Sequence, residues 1–493
     1  MKQLSLTDSL FVYNESSRTP LHISPLLIYN PPEDGEKAVR FTDILDRFES
    51  RLHRSPVFRQ KLSKVALDLD KPYWVEDAEF DLEFHVRHMA LPKPGDWRQF
   101  CILIARLHSR PLDMQRPPWE AYVIEGLDNI NGLPKGSFAL YMKIHHSAID
   151  GATGNQMIEA LHDLSPTAEG DGMPEPWEPA SEIGQLNKLS RAYLKLFSLP
   201  KQASKVVKHA MKSRSQSVRQ LNRVGLAKHA IQQRIGFNAS VSPHRVFGGL
   251  SIDLGELKAI KNSVVNCTLN DAILSIVGGA LRQYLLQKDA LPKESLVVGV
   301  PISTRQAADQ NAVGGNKIAG MLLNLRTDIA DHCERVEAIN EDAVSSKVYA
   351  NAVGIERLST LLDSIPAGVA SLSARAMAVT GLTARTPVTH TIVTNVPGPQ
   401  FPLYFCGAKA SLWIGAGCLV DGMGLFHTVN SYNGTVFISF LSCRQMMPDP
   451  DVYHQCINAS FKEHLEAAKV QGAKTSTEQS KKKKEKELEP SPA

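Results

Sequence analysis

The chain has 493 residues, 43% hydrophobic and 22% charged, and its formal net charge is only +4. That length calls for two domains or more, and the composition is that of an ordinary globular protein, not of a disordered or fibrous one. There is no run of eighteen apolar residues to cross a membrane, and the seven scattered cysteines form no CxxC pair, so reduced thiols in a cytoplasmic protein are expected.

The N-terminal stretch "MKQLSLTDSLFVYNESS" lacks the basic start and apolar core of a secretion signal. "FTDILDRFESRLHR" places Phe41, Ile44, Leu45, Phe48 and Leu52 on one helical face. "RQFCILIARLHS" predicts a second helix that stops before Pro111. "GSFALYMKIHH" is an apolar β-type run, and "GNQMIEALHDL" predicts a helix after the turn that follows it. Residues 165–180 hold four prolines and two glycines, which no regular element tolerates.

A basic block comes next. No Asp or Glu occurs between Ile183 and Ile252, whereas thirteen Lys or Arg do, so the rest of the chain is net acidic. Within it, "LNKLSRAYLKLF" predicts a helix with Leu186, Leu189, Tyr193 and Leu196 opposite Lys188, Arg191 and Lys195. "KQASKVVKHAMK" repeats the pattern with Lys201, Lys205, Lys208 and Lys212. Such faces suit an anionic lipid surface or an interdomain linker packed on protein. Nucleic acid binding lacks any accompanying motif.

Beyond the block, Thr268 and Asp271 form a capping box for a helix over "NDAILSIVGGALRQYLL". "SLVVGVPI" and "KIAGMLLNL" predict buried strands. "HTVNSYNGTVFISFLSC" predicts a hairpin that turns at Asn433-Gly434, and a last helix is expected near 451–468. The tail from 471 is low in complexity and predicted to be disordered.

The chemistry concentrates in "KIHHSAIDGATG". His145 and His146 end a strand, and Asp150-Gly151 opens the next helix. Adjacent strand residues point to opposite faces, so the two rings do not readily grip one metal ion. One neutral imidazole can instead take a proton from an alcohol as that alcohol attacks a carbonyl. Asp150 either orients a histidine or holds the turn, and the turn is favoured, with Arg305 as a candidate partner. No GxSxG elbow or GxxxxGK[ST] loop occurs, and Gly415-Ala416-Gly417 does not continue into a dinucleotide fingerprint.

"HHSAIDG" resembles the HHxxxDG motif of CoA-dependent acyltransferases. The segments "LSLTDSLFVYNESSRTPLHI", "SPVFRQKL", "LHSRPLDMQRPPWEAYVIEGL", "TLNDAILSIVGGALRQYL", "VPISTR" and "TIVTNVPGP" narrow the resemblance to the bacterial wax ester synthase/diacylglycerol acyltransferase family, over about residues 1–470. The one departure is Pro118, where the family motif usually has Leu.

The resemblance implies an α/β (α+β) fold of two chloramphenicol-acetyltransferase-like domains, each a mixed sheet with flanking helices. The expected boundaries are 1–180 for the domain carrying the motif, 181–244 for a basic helical linker and 245–470 for the second domain. It further implies transfer of an acyl group from acyl-CoA, a substrate and not a cofactor, to a long-chain alcohol or a diacylglycerol at a membrane or lipid-droplet surface in a bacterium. His146 is then the base, and His145 and Asp150 complete the motif. Asn270 and Asp271 match the family's ND pair and are candidates to face the oxyanion or substrate. Pro111, Leu112 and Asp113 match its PLD segment, a structural turn, with Gly151 supporting the helix start. The alternatives are a non-catalytic lipid-droplet protein, or a condensation- or acetyltransferase-type member of the same superfamily. Counted from His145, the same letters spell the HxxxxD of glycerol-phosphate acyltransferases, but the rest of that signature is absent.

Overall fold

Two six-stranded mixed sheets dominate the computed structural model, which describes residues 2–32, 38–149, 151–167, 177–180, 184–196, 234–303, 318–353 and 367–487. The first sheet runs, in spatial order, Tyr404–Phe405, Ala408–Ala416, His22–Asn30, Phe138–His145, Trp119–Glu125, Val86–Ala90. Its neighbours are antiparallel except the last pair. The second runs Ile318–Asn324, Val297–Ser303, Thr391–Pro397, Leu425–Tyr432, Thr435–Cys443, Arg245–Asp253, with parallel pairing on both sides of Thr391–Pro397. A small third sheet joins Lys2–Gln3, Tyr73–Glu76 and Gln60–Ser63.

A cut at 245 therefore does not separate the sheets. Strand Ala408–Ala416 pairs with His22–Asn30, from Lys409 against Asn30 to Ala416 against Ser24. Nothing local in "AKASLWIGA" says which sheet it joins, because strand pairing is a long-range choice.

Three apolar cores follow from this. Phe48, Trp119, Leu140, Met142 and Ile158 pack one face of the first sheet beneath the helices Phe41–Arg51 and Gly151–Leu161. Val298, Val393, Val429 and Ile438 pack the outer face of the second sheet against the helices Leu269–Gln287 and Pro450–Glu487. Between the sheets, Ile104, Tyr141, Ile414, Phe426 and Phe437 form a core that joins the two halves. Burying each such side chain contributes about 1.5–3 kcal/mol.

Several local expectations appear as read. The N-cap Thr268 accepts from Asp271 N at 3.3 Å, and Asp271 Oδ2 accepts from Thr268 N at 2.9 Å. Asn433 and Gly434 turn the hairpin with φ of 43° and 83°. Others differ. The last helix spans Pro450–Glu487 and runs through most of the tail expected to be disordered, because Lys- and Glu-rich sequence is also good helix former.

The helix Gln185–Leu196 inverts part of its expected polarity. Lys188 is buried, donating to Ser63 Oγ at 2.6 Å, while Leu186, Tyr193 and Leu194 are exposed. Leu189 packs on Val65, Tyr73 and Val75 of the small sheet. The second basic stretch, 201–212, lies outside the described residues. Among the described residues no helix is long and apolar enough to cross a membrane.

Candidate active site

Strand Phe138–His145 is buried along its whole length. Its even residues enter the core of the first half, and Tyr141, Lys143 and His145 take the opposite face. Lys143 Nζ donates to Arg110 O at 2.8 Å and to Glu120 Oε2 at 3.3 Å, which fixes the neighbouring 110–113 segment. Burial pushes the Lys143 amine below its ordinary pKa. His145 ends the strand, its N–H donating to Pro118 O at 2.9 Å. The chain then turns, and the helix Gly151–Leu161 begins.

The two histidines part company here. His145 is fully buried. Its Nδ1 accepts from Ser147 N at 3.2 Å and lies 2.6 Å from Ser147 Oγ. With Nδ1 accepting, the ring proton sits on Nε2, 3.5 Å from Glu15 Oε2. The other oxygen, Glu15 Oε1, accepts from Leu21 N at 3.1 Å. His146 is half-buried, and its N–H donates to Leu21 O at 2.9 Å. Its ring stacks on Phe11 with centroids 4.2 Å apart and planes 3° from parallel.

His146 borders a cavity of about 950 Å³ between the two halves, and it is the one histidine among the described residues that line it. The first wall is the helix Leu6–Asn14, which contributes Thr7, Leu10, Phe11 and Asn14 at i, i+3, i+4, i+7 spacing. Ser5 caps that helix by accepting from Asp8 N at 3.0 Å. The facing wall is the second sheet. In parallel register Ile392 lies beside Phe426, Thr394 beside Thr428 and Val396 beside Asn430, and all six line the cavity.

The third wall is Trp413, Gly415, Ala416 and Gly417, at the end of strand Ala408–Ala416, which joins the first sheet. The two glycines there are steric. A Cβ on Gly415 would lie 2.5 Å from Thr428 Cγ2 and 2.6 Å from Asn430 Oδ1, and one on Gly417 would lie 2.3 Å from the Phe426 ring. His108 Nε2 donates to Gly417 O at 2.7 Å, and its Nδ1 lies 2.8 Å from Tyr141 Oη, so the wall is tied to the first half. Burial lowers the His108 pKa to about 3, which keeps it neutral.

The sequence-derived candidates divide accordingly. Among the described residues, His146 alone of them lines the cavity, and its neighbour His145 is buried. Asn270 and Asp271 do not line it. They open the helix Leu269–Gln287, which packs on the outer face of the second sheet, while the cavity lies on the inner face. Asp271 is buried and accepts from Thr268 and from Asn340 Nδ2, the latter at 2.9 Å. It acts as a cap, the helix-start role that the capping box announced.

Asp113 accepts from Gln115 N at 2.9 Å in a tight turn, and Pro111 is exposed. Gly151 opens its helix, and Asp150 and Arg305 lie outside the described residues. Phe11, Glu15, Thr428 and Asn430 were not singled out from sequence. The spacing of residues 7, 10, 11 and 14, and the alternation of Phe426, Thr428 and Asn430, were the available signals.

A family model described as the wax ester synthase/diacylglycerol acyltransferase catalytic domain matches residues 4–273, more than half the chain. The chain belongs to the wax ester synthase/diacylglycerol acyltransferase family. The C-terminal domain model of the same family matches residues 314–464. A putative diacylglycerol O-acyltransferase of Mycobacterium tuberculosis is 30% identical over 489 residues, covering 91% of this chain and 94% of that protein.

Among solved structures, the wax ester synthase/diacylglycerol acyltransferase from Marinobacter aquaeolei VT8 is similar with a TM-score of 0.67 and 27% identity, covering 95% of this chain and 100% of that one. The trichothecene 15-O-acetyltransferase from Fusarium sporotrichioides shares the fold with a TM-score of 0.62 at 10% identity, covering 94% and 95%. The regions that the family's two models match are physically interlocked here. Strand Ala408–Ala416, inside the C-terminal match, completes the sheet that carries the HHxxxDG motif of the catalytic match.

Proposed function

We propose that this protein transfers a fatty acyl group from acyl-CoA to the hydroxyl of a long-chain alcohol or a diacylglycerol, with His146 as general base. One observation carries the reading: a single histidine, clamped flat on Phe11, borders a largely apolar cavity between two interlocked halves. Such a cavity accepts alkyl chains and offers few polar groups, and those few set the chemistry.

His146 takes the hydroxyl proton, and the oxygen attacks the thioester carbonyl carbon. The tetrahedral intermediate collapses as the C–S bond breaks and the imidazolium returns its proton to the departing sulfur. Among the described residues lining the cavity there is no lysine, and the one cysteine is Cys418, whose thiol burial raises to a pKa of about 11. A thiol so rarely ionised makes a poor nucleophile, which favours direct transfer over a covalent acyl-enzyme.

The test is product analysis. Pure protein with palmitoyl-CoA and an equimolar mixture of hexadecanol and dioleoylglycerol is expected to release CoA thiol and form wax ester, triacylglycerol or both. Binding of the lipids without thiol release would replace this reading with that of a lipid-binding protein.

The same reading places the enzyme on a lipid surface. Leu186, Tyr193 and Leu194 are exposed at 84%, 60% and 70% beside a block free of acidic residues. Leu372 is also exposed on the helix Ala367–Thr380, whose Met377 lines the cavity. Apolar side chains beside cationic ones suit an anionic bilayer. Flotation with vesicles of anionic lipid is expected to weaken when Leu186, Tyr193 and Leu194 are all changed to Ser. Undiminished flotation would remove this helix from the contact.

A further inference from the structure

One end of the cavity is polar and open. Of the residues that line it, Asn14, Ser16, Ser17 and Arg18 are exposed, so the cavity reaches solvent there. Among the described lining residues Arg18 is the one lysine or arginine, and Asp421 is the one carboxylate. The two meet, with Arg18 Nη2 3.3 Å from Asp421 Oδ2. Arg18 follows the helix Leu6–Asn14, and Asp421 lies in the connection from Ala408–Ala416 to Leu425–Tyr432, which crosses from the first sheet to the second. The pair therefore spans the outer end of the cavity, from the helix wall to the sheet wall.

The backbone on both sides is fixed, which leaves one movable part. Asp421 Oδ1 accepts from Val241 N at 2.8 Å, and Val241 is buried. Thr19 N donates to Ser16 O at 3.0 Å across the turn that carries Arg18, and the buried Arg245 donates to Arg18 O. The Arg18 guanidinium is held more loosely, by Asp421 and by Val241 O at 3.1 Å. Its side chain is 47% exposed, so water competes for it and salt screens it. A long side chain on a fixed turn, held by an exposed pair, swings without any change of fold.

What such a clasp controls follows from the shapes of the two acceptors. A long-chain alcohol is a single unbranched chain with its hydroxyl at the tip. A diacylglycerol carries two chains on one glycerol stem, so only a wider opening passes it. We infer that the Arg18–Asp421 clasp sets acceptor choice: closed, it admits the single chain, and a diacylglycerol enters only when the Arg18 side chain swings out. The inference rests on the acyl-transfer reading and adds to it the residues that weigh one acceptor against the other.

The experiment measures kcat/KM separately for hexadecanol and for 1,2-dioleoylglycerol, each with palmitoyl-CoA, in wild type, Arg18→Ala, Asp421→Asn, the double variant and Arg18→Lys. Both acceptors use the same acyl-CoA, so the ratio of the two values cancels any effect on its binding. In Arg18→Ala the ratio of dioleoylglycerol to hexadecanol is expected to rise by roughly threefold or more, the scale on which an exposed ion pair holds a side chain. Asp421→Asn keeps an acceptor for Val241 N and loses the charge, so it is expected to shift the ratio the same way. The double variant is expected to shift no further than Arg18→Ala, because both changes break one pair. Arg18→Lys is expected to stay nearer to wild type than Arg18→Ala does. Added salt is expected to raise the ratio in wild type and to leave it unmoved in Arg18→Ala. An arginine that only steadied its turn would give no such salt dependence.

A ratio within about 1.5-fold of wild type in both single variants overturns the inference, as does a shift toward hexadecanol. Should Arg18→Ala not fold, Asp421→Asn and the salt series decide. A wild type that uses hexadecanol alone is expected to gain dioleoylglycerol activity in the variants, and no gain overturns the inference. A wild type that uses dioleoylglycerol alone overturns it outright. A wild type without thiol release toward either acceptor overturns the acyl-transfer reading and this inference together, whereas an active wild type with an unmoved ratio in the variants overturns this inference alone.

Discussion

Changing His146 to Ala is expected to lower kcat by roughly 10²–10⁴, the usual contribution of a general base, with little change in melting temperature. The ring is half-buried on the cavity wall and its stacking partner Phe11 is itself only partly buried, so its removal leaves the three cores untouched. His145 cannot take over. Its ring is sealed, held through Nδ1 by Ser147 and facing Glu15 through Nε2. His145→Ala should therefore cost folding stability first, because it strips a buried partner from both groups. Thiol-release kinetics and thermal melts on the two variants separate these roles. Near-normal turnover by His146→Ala would sink the mechanism.

Loss of the fold in mild acid is the second large effect expected. Burial pushes His108 and His427 down to pKa values of about 3, and His162 and His464 to about 4. His22 and His85 are lowered for the same reason. Each is held neutral by its surroundings: His427 between Thr391 and Tyr453, His162 between Tyr29 and the Ile158 carbonyl, His464 between Ser275 and the Ser460 carbonyl.

The sign is that of depressed histidines. In the unfolded chain each takes a proton below about pH 6.5, and in the folded chain it does not until its lowered pKa is reached. Stability therefore falls as pH drops from 6.5 toward 4. At pH 5 each of the four costs about 2 kcal/mol, which together rivals the whole stability of about 5–15 kcal/mol typical of a domain. Circular dichroism against pH should show cooperative unfolding near pH 5, and His427→Gln should move the midpoint to lower pH. A fold intact at pH 4 would contradict this account.

Much of the site was written locally. The strand before His145, the helix after Gly151 and the glycine-bearing hairpin at Asn433 are each set by periodicity or by a backbone angle that few residues adopt. The capping box of Thr268 and Asp271 was equally legible, and those bonds explain why that pair starts a helix. Motif matching placed Asn270 near the chemistry, but which face of the sheet its helix covers is a matter of packing. Lys188 was misread for a related reason: the helical pattern gives two faces, and only the neighbouring small sheet decides which one is covered.

By itself, then, the sequence determined the kinds of element with their caps and turns, and it singled out His146 as the candidate base. Those properties depend on residues within a few positions of one another, where sterics and hydrogen bonding act directly. Only the tertiary structure decided that Ala408–Ala416 completes the first sheet, that Phe11 clamps His146, and that Asn430 faces the same cavity from the other half. These pairings join residues more than a hundred positions apart, and they are chosen by the burial of whole faces against each other, which no short stretch of chain encodes.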